Sequence, residues 1–206
     1  MAAKCAIFLD KDGTLIPDIP YNADPKLVSL EKNVGETLAK LAPHFSLIVI
    51  SNQSGLAFGY FHENDLRRVE RRMAALLDEY GVSLSGFYFC PHHPDGSIVP
   101  YAQLCDCRKP NPGLINKAAA EQHICLSGSW MIGDILNDVQ AGKAAGCRSI
   151  LIDNGNETEW DIAGEPQRIP DFIASDFAGA GEYILKNLTH ESHFNPISTD
   201  SKELQK

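Results

Sequence analysis

Cys5-Ala6-Ile7-Phe8-Leu9-Asp10-Lys11-Asp12-Gly13-Thr14 joins an unbroken apolar run to a charged, glycine-containing turn. A strand with one wet face would alternate apolar and polar residues, so this run predicts a parallel strand buried on both sides. Similar runs recur at Leu47-Ile48-Val49-Ile50, Trp130-Met131-Ile132 and Ser149-Ile150-Leu151-Ile152. Helical spacing separates them. Leu66, Val69, Met73, Leu76, Leu77 and Tyr80 form one stripe, with Gly81 as its stop. Leu114, Ile115, Ala118 and Ala119 form another behind Pro112, and Val139 to Ala145 a third, closed by Gly146. Strand alternating with helix predicts an α/β fold: a Rossmann-like three-layer sandwich with a mostly parallel sheet and right-handed crossovers. One domain is expected over residues 1–189, and the polar, unpatterned stretch 190–206 reads as a disordered tail.

The 206 residues, 44% of them hydrophobic, suffice for one sizeable core. A net charge of -9, from 18 Lys+Arg and 27 Asp+Glu, argues against nucleic acid or an anionic membrane as partner. The arginines Arg67, Arg68, Arg71 and Arg72 are interspersed with Glu63 and Glu70, as on a solvated helix face. No apolar run reaches the ~20 residues of a membrane span, and the start has no secretion signal, so a cytoplasmic monomer acting on a small molecule is expected.

In such sheets, ligands bind beyond the carboxyl ends of the strands. Those ends carry Asp10-Lys11-Asp12-Gly13-Thr14, Ser51-Asn52-Gln53-Ser54-Gly55 and Gly133-Asp134, with Asp138 four residues on; Arg108-Lys109-Pro110 precedes the Pro112 helix. The set fits phosphoryl transfer. Asp10 is the candidate nucleophile. Asp12, two residues on, is placed to protonate the leaving oxygen and then to deprotonate water. Asp10, Asp134 and the Asp12 backbone carbonyl offer Mg²⁺ the hard oxygens it prefers. Ser51 and Lys109 can stabilise the phosphoryl oxygens. A calcium loop explains Asp-x-Asp-Gly less well, because the further oxygen ligands and closing Glu are missing.

Cys90-Pro91-His92-His93 is followed, with twelve residues between His92 and Cys105, by Cys105-Asp106-Cys107. Cys90, His92, Cys105 and Cys107 make a tetrahedral set for Zn²⁺, with no position left for water. His93 is the less suitable imidazole. In a reducing compartment, clustered cysteines argue for metal rather than for disulfides. Fixing this loop would fix Lys109 and present Arg108 to substrate. Cys5, Cys125 and Cys147 read as core residues.

Asp-Lys-Asp-Gly-Thr, the Ser51 strand end, Lys109 and Gly133-Asp134 resemble the four motifs of the haloacid dehalogenase (HAD) superfamily of aspartate-nucleophile phosphatases. That resemblance implies a phosphoaspartyl intermediate and Mg²⁺. The gaps between motifs leave no room for a folded cap, so a capless core with a zinc-binding loop is expected. Asn-Gln-Ser-Gly, Cys-Pro-His-His-Pro and Cys-x-Cys-Arg-Lys-Pro-x-Pro-Gly further resemble the D-glycero-D-manno-heptose 1,7-bisphosphate 7-phosphatase family, which serves nucleotide-activated heptose for lipopolysaccharide or surface glycans. The family resemblance implies substrate contacts from Asp18, Ile19, Pro20 and Tyr21, from Ser51, Asn52, Gln53 and Ser54, and from Arg108. Some members carry lysine after the metal aspartate, where this chain has Ile135; this puts the anomer in question. The related histidinol-phosphate phosphatases have a shorter span between the Cys-x-His and Cys-x-Cys pairs, so the spacing favours the heptose enzymes.

Overall fold

The computed structural model describes residues 4–191. Six strands carry the fold: β1 (Ala6–Leu9), β2 (Ser46–Asn52), β3 (Gly86–Cys90), β4 (Trp130–Gly133), β5 (Arg148–Ile152) and β6 (Phe172–Ala174). They lie in the order β3-β2-β1-β4-β5-β6. Every neighbouring pair is parallel, so the mostly parallel sheet expected from sequence is parallel throughout. The helices are α1 (Val34–Leu41), α2 (Gly55–Phe58), α3 (Glu63–Asp78), α4 (Gly113–Gln122), α5 (Leu136–Ala145) and α6 (Phe177–Glu191).

Strand parity divides the core into two layers. Ile7, Leu9, Leu47, Val49, Trp130, Ile132, Ile150 and Ile152 face one side, against Leu38 of α1, Met73 of α3 and Ile184 of α6. Ala6, Phe8, Ile48, Ile50 and Met131 face the other, against Leu114, Ile115 and Ala118 of α4 and Ala141 of α5. Each such aliphatic or aromatic side chain stabilises the fold by about 1.5–3 kcal/mol through burial. Because both faces are covered, the strands read as unbroken apolar runs. Cys147 is buried as expected, whereas Cys5 and Cys125 are only partly so.

Two strands and three helices, α1, α2 and α6, escaped the periodicity reading. β3 is a half-buried, aromatic edge strand and β6 has three residues, so neither yields a long apolar run. Helix α6 continues to Glu191, past the expected start of the tail, and 192–206 lies outside the described residues. The order of strands reverses at β1, which sits between β2 and β4. A crevice opens where crossovers leave in opposite directions, and that point carries the expected chemistry.

Candidate active site

The carboxyl ends of β1, β2 and β4 surround a cavity of about 230 Å³, lined by Asp10, Asp12, Ser51, Lys109, Asp134 and Asp138 among others. The backbone N–H of Asp10 donates to the Ile132 carbonyl at 2.9 Å, which ties the first motif to β4. Lys109 enters from the loop before α4. Its ammonium is buried, pairs with Asp10, lies 2.6 Å from Asp138 and donates to the Ile50 carbonyl at 3.0 Å. Burial opposes a charged lysine, but the two carboxylates outweigh it and hold Lys109 well above its usual range.

Asp10, Asp134 and Asp138 place carboxylate oxygens within 4.8 Å of one another. Of these three buried acids, Lys109 pairs with two, Asp10 and Asp138. Asp134 is pushed up to about 7 by burial and then by the charges of Asp10 and Asp138. Asp138 is raised to about 6, again by burial first, with Lys109 pulling the other way. Such a set suits a hard divalent cation, which supplies the missing positive charge. Asp138 had been visible only as a spacing after Gly-Asp; its place on the first turn of α5 aims it at Lys109. The Asp12 carboxylate is not in the cluster.

Two donors hold the Asp12 carboxylate instead. Its Oδ1 receives the Lys11 ammonium, and its Oδ2 accepts from Gln53 Nε2 at 3.1 Å. Burial raises its pKa, and Asp10 adds to the shift, while Lys11 and Gln53 oppose it. A carboxyl group that keeps its proton longer is suited to general acid work. The same Gln53 amide donates to Ser51 Oγ at 2.7 Å, so one side chain spaces acid and hydroxyl. Lys11, fully buried, carried no role in the sequence reading.

The expected substrate segments divide in the structure. Asp18 lines the cavity, whereas Tyr21 packs edge-on against Tyr60, 4.7 Å between ring centroids. Ile19 and Pro20 form the turn between them, closed by Asn22 N–H to the Ile19 carbonyl at 3.0 Å. Asn52 also lines the cavity, but its amide makes a reciprocal pair with the Lys109 backbone, each bond 3.1 Å. Gln53 faces Asp12 and Ser51, as above, and Ser54 precedes α2. Arg108 borders an adjoining cavity of about 260 Å³ with His93, Asn111 and Asn137. Ile135 brings an apolar side chain to the main cavity wall.

Cys90, His92, Cys105 and Cys107 form the second cluster. Sulfur–sulfur separations are 3.1–3.5 Å, and His92 Nδ1 lies 3.2 Å from Cys107 and 3.7 Å from Cys90. A tetrahedral zinc site has edges of about 3.5–3.8 Å, so a small opening separates these atoms from ligation geometry. Burial and the neighbouring thiols raise Cys90, and Cys107 is raised to about 11, burial leading. Thiols this crowded are the donors a soft-tolerant cation deprotonates. His93 turns away, accepting from the Asp95 N–H at 3.2 Å and packing on Phe58.

A parallel sheet with the aspartate pair after β1, the serine at β2, the lysine before α4 and the acids after β4 is the architecture of a HAD phosphatase. The HAD-hydrolase-like family model matches residues 106–180. The chain is 36% identical over 183 residues to the D-glycero-beta-D-manno-heptose-1,7-bisphosphate 7-phosphatase of Escherichia coli (strain K12), covering 88% of this chain and 94% of that one. It is 40% identical over 173 residues to the enzyme of that name from Pasteurella multocida (strain Pm70), covering 83% and 94%. The crystal structure of D,D-heptose 1.7-bisphosphate phosphatase from B. bronchiseptica, complexed with magnesium and phosphate, superposes with a TM-score of 0.76 at 29% identity, covering 89% of this chain and 99% of that one. The chain belongs to the D-glycero-beta-D-manno-heptose-1,7-bisphosphate 7-phosphatase family of the HAD superfamily.

Proposed function

We propose that this phosphatase removes the 7-phosphate of D-glycero-D-manno-heptose 1,7-bisphosphate, with Mg²⁺ as cofactor and Zn²⁺ as a structural ion. The observation that carries the reading is the buried constellation of Asp10, Lys109, Asp134 and Asp138 at the strand switch point, in a chain of this family. Asp10, Asp134 and the Asp12 carbonyl would hold magnesium, with Asp138 beside them, and the ion offsets the charge of the transferring phosphoryl group.

Asp10 attacks phosphorus and forms an aspartyl phosphate. Its approach to a dianion is favoured by the Lys109 ammonium, which Asp138 and the Asn52 pair hold in place. Ser51 Oγ accepts from Gln53 and so turns its own proton outward, toward a phosphoryl oxygen. Asp12 protonates the leaving sugar oxygen, then takes a proton from the water that cleaves the acyl phosphate. Cys90, His92, Cys105 and Cys107 would hold zinc, ordering a loop that runs into Arg108 and Lys109. Arg108 faces the adjoining cavity, where its fork suits the second phosphate. Asp18 to Tyr21 and Ser51 to Ser54 border the substrate, Asn52 and Gln53 acting mainly by positioning.

The working form is a cytoplasmic monomer of one domain, without nucleic-acid or membrane partners. Among the described residues, no helix is long and apolar enough to cross a membrane. Ile135 leaves no cation beside Asp134, so discrimination of the distal phosphate falls to the Arg108 side. Phosphate release with Mg²⁺ from both heptose bisphosphate anomers, histidinol phosphate and other sugar phosphates tests this. The bisphosphates should have the highest kcat/KM; a histidinol phosphate preference would replace the substrate assignment.

A further inference from the structure

The loop after β5 reaches the site at three points. Asn154 Nδ2 donates to the Gly13 carbonyl at 2.8 Å. Asn156 Nδ2 donates to Asp134 Oδ2 at 2.7 Å. Glu157 Oε2 accepts from the Leu136 N–H at 2.6 Å, at the N-terminus of α5. The loop is also braced within itself, by Asn156 N–H to Asn154 Oδ1 at 3.1 Å and Glu159 N–H to Glu157 Oε1 at 2.7 Å.

Thr14 Oγ1 donates to the other oxygen of Asp134 at 3.1 Å. Two donors therefore grip the carboxylate, one on each oxygen, and fix its plane. Each oxygen has two lone-pair directions, so a lone pair on each stays available to a cation. Gly13 makes this approach possible: it lies at φ 79°, and a Cβ there would fall 2.1 Å from Asp134 Oδ2 and 2.5 Å from Asn156 Nδ2. The contact thus occupies the space that a side chain at position 13 would fill.

We propose that Asn156 is a positioning residue for the metal-binding carboxylate, fixing Asp134 in the orientation that accepts Mg²⁺, with Asn154 and Glu157 anchoring the loop that presents it. Donors behind metal ligands typically change metal affinity by about 10–100-fold when removed. The proposal rests on Asp134 holding magnesium, as inferred above, and not on the identity of the sugar.

Magnesium binding to the full chain freed of magnesium but keeping its zinc, followed by titration calorimetry without substrate, tests it directly. Asn156→Ala should raise the Mg²⁺ dissociation constant by about 10-fold. The Mg²⁺ concentration for half-maximal phosphatase activity should rise by the same factor, with kcat at saturating Mg²⁺ within about 3-fold of the parent. Asn154→Ala, which leaves the Asn156 amide in place, should show a smaller shift of the same sign. Unchanged Mg²⁺ affinity in Asn156→Ala overturns the proposal, as does a loss confined to kcat. If the parent chain bound no Mg²⁺, the magnesium assignment itself would fall; if it bound Mg²⁺ but released no phosphate from heptose bisphosphates, only the substrate reading would.

Discussion

The two clusters that could hold a metal ion are built in opposite ways. Asp10 and Asp134 stand at the ends of adjacent, hydrogen-bonded strands, and Asp138 sits one turn into α5; all three are buried. Cys105 and Cys107 lie on a loop with no strand or helix of its own, and only Cys90 belongs to the sheet. The sheet therefore assembles the oxygen cluster by itself, at the cost of crowding three acids of which Lys109 pairs with two. At the sulfur cluster, a bound zinc ion would supply the cross-link that local packing lacks. On the proposed reading, one site would use a metal for charge, the other for shape.

Substitutions can separate these uses. Asp10→Asn removes the attacking charge while leaving the volume, so phosphate release should fall by at least about a thousandfold. Zinc content and melting temperature should stay at parental values; a variant that kept turning over would refute direct attack by Asp10. Asp12→Asn should cost about a hundredfold or more in kcat, because the leaving oxygen loses its proton donor. Burst kinetics should show both half-reactions slowed.

Cys105→Ala acts on the other cluster. Zinc stoichiometry should drop and the loop become sensitive to limited proteolysis, while activity falls about tenfold through loosened Lys109 and Arg108. Equal loss of the whole fold and the loop on heating would contradict the division drawn here. The smallest effect concerns pH. Asp134, near 7, and Asp138, near 6, stand above their usual value of 3.8, so the folded chain keeps these protons longer than the unfolded one. The associated stability is present below the unfolded value and is lost as pH rises through the folded values. Metal-free protein should thus melt about 5 °C lower at pH 7.5 than at pH 5.5, and added Mg²⁺ should narrow that gap. A flat or opposite pH profile would show that the acids are not crowded in this way.

Sequence periodicity disclosed the inner strands because burial on both faces makes them continuously apolar, as at Ile7 to Leu9. It could not disclose β3, whose Phe87, Tyr88 and Phe89 sit half-buried at an edge, nor the short β6. The site residues were legible wherever chemistry follows a strand, as with Asp10, Ser51 and Asp134. Asp138 was harder, since a carboxylate on a helix usually faces water. Asn156 left no trace, because a loop amide gains meaning only through the atom it happens to meet. Asn52 and Gln53 are expected from sequence to touch substrate, yet their amides are engaged by Lys109, Asp12 and Ser51.

The pairing of Leu9 with Ile132 across β1 and β4 has a consequence for divergence in this family. Neighbouring strands keep a spacing of about 4.8 Å set by backbone amides, whatever side chains they carry. The gauge between the two aspartates is therefore written in the main chain. Helix surfaces can drift a long way while that gauge holds, and a one-residue slip of either strand would erase it at once.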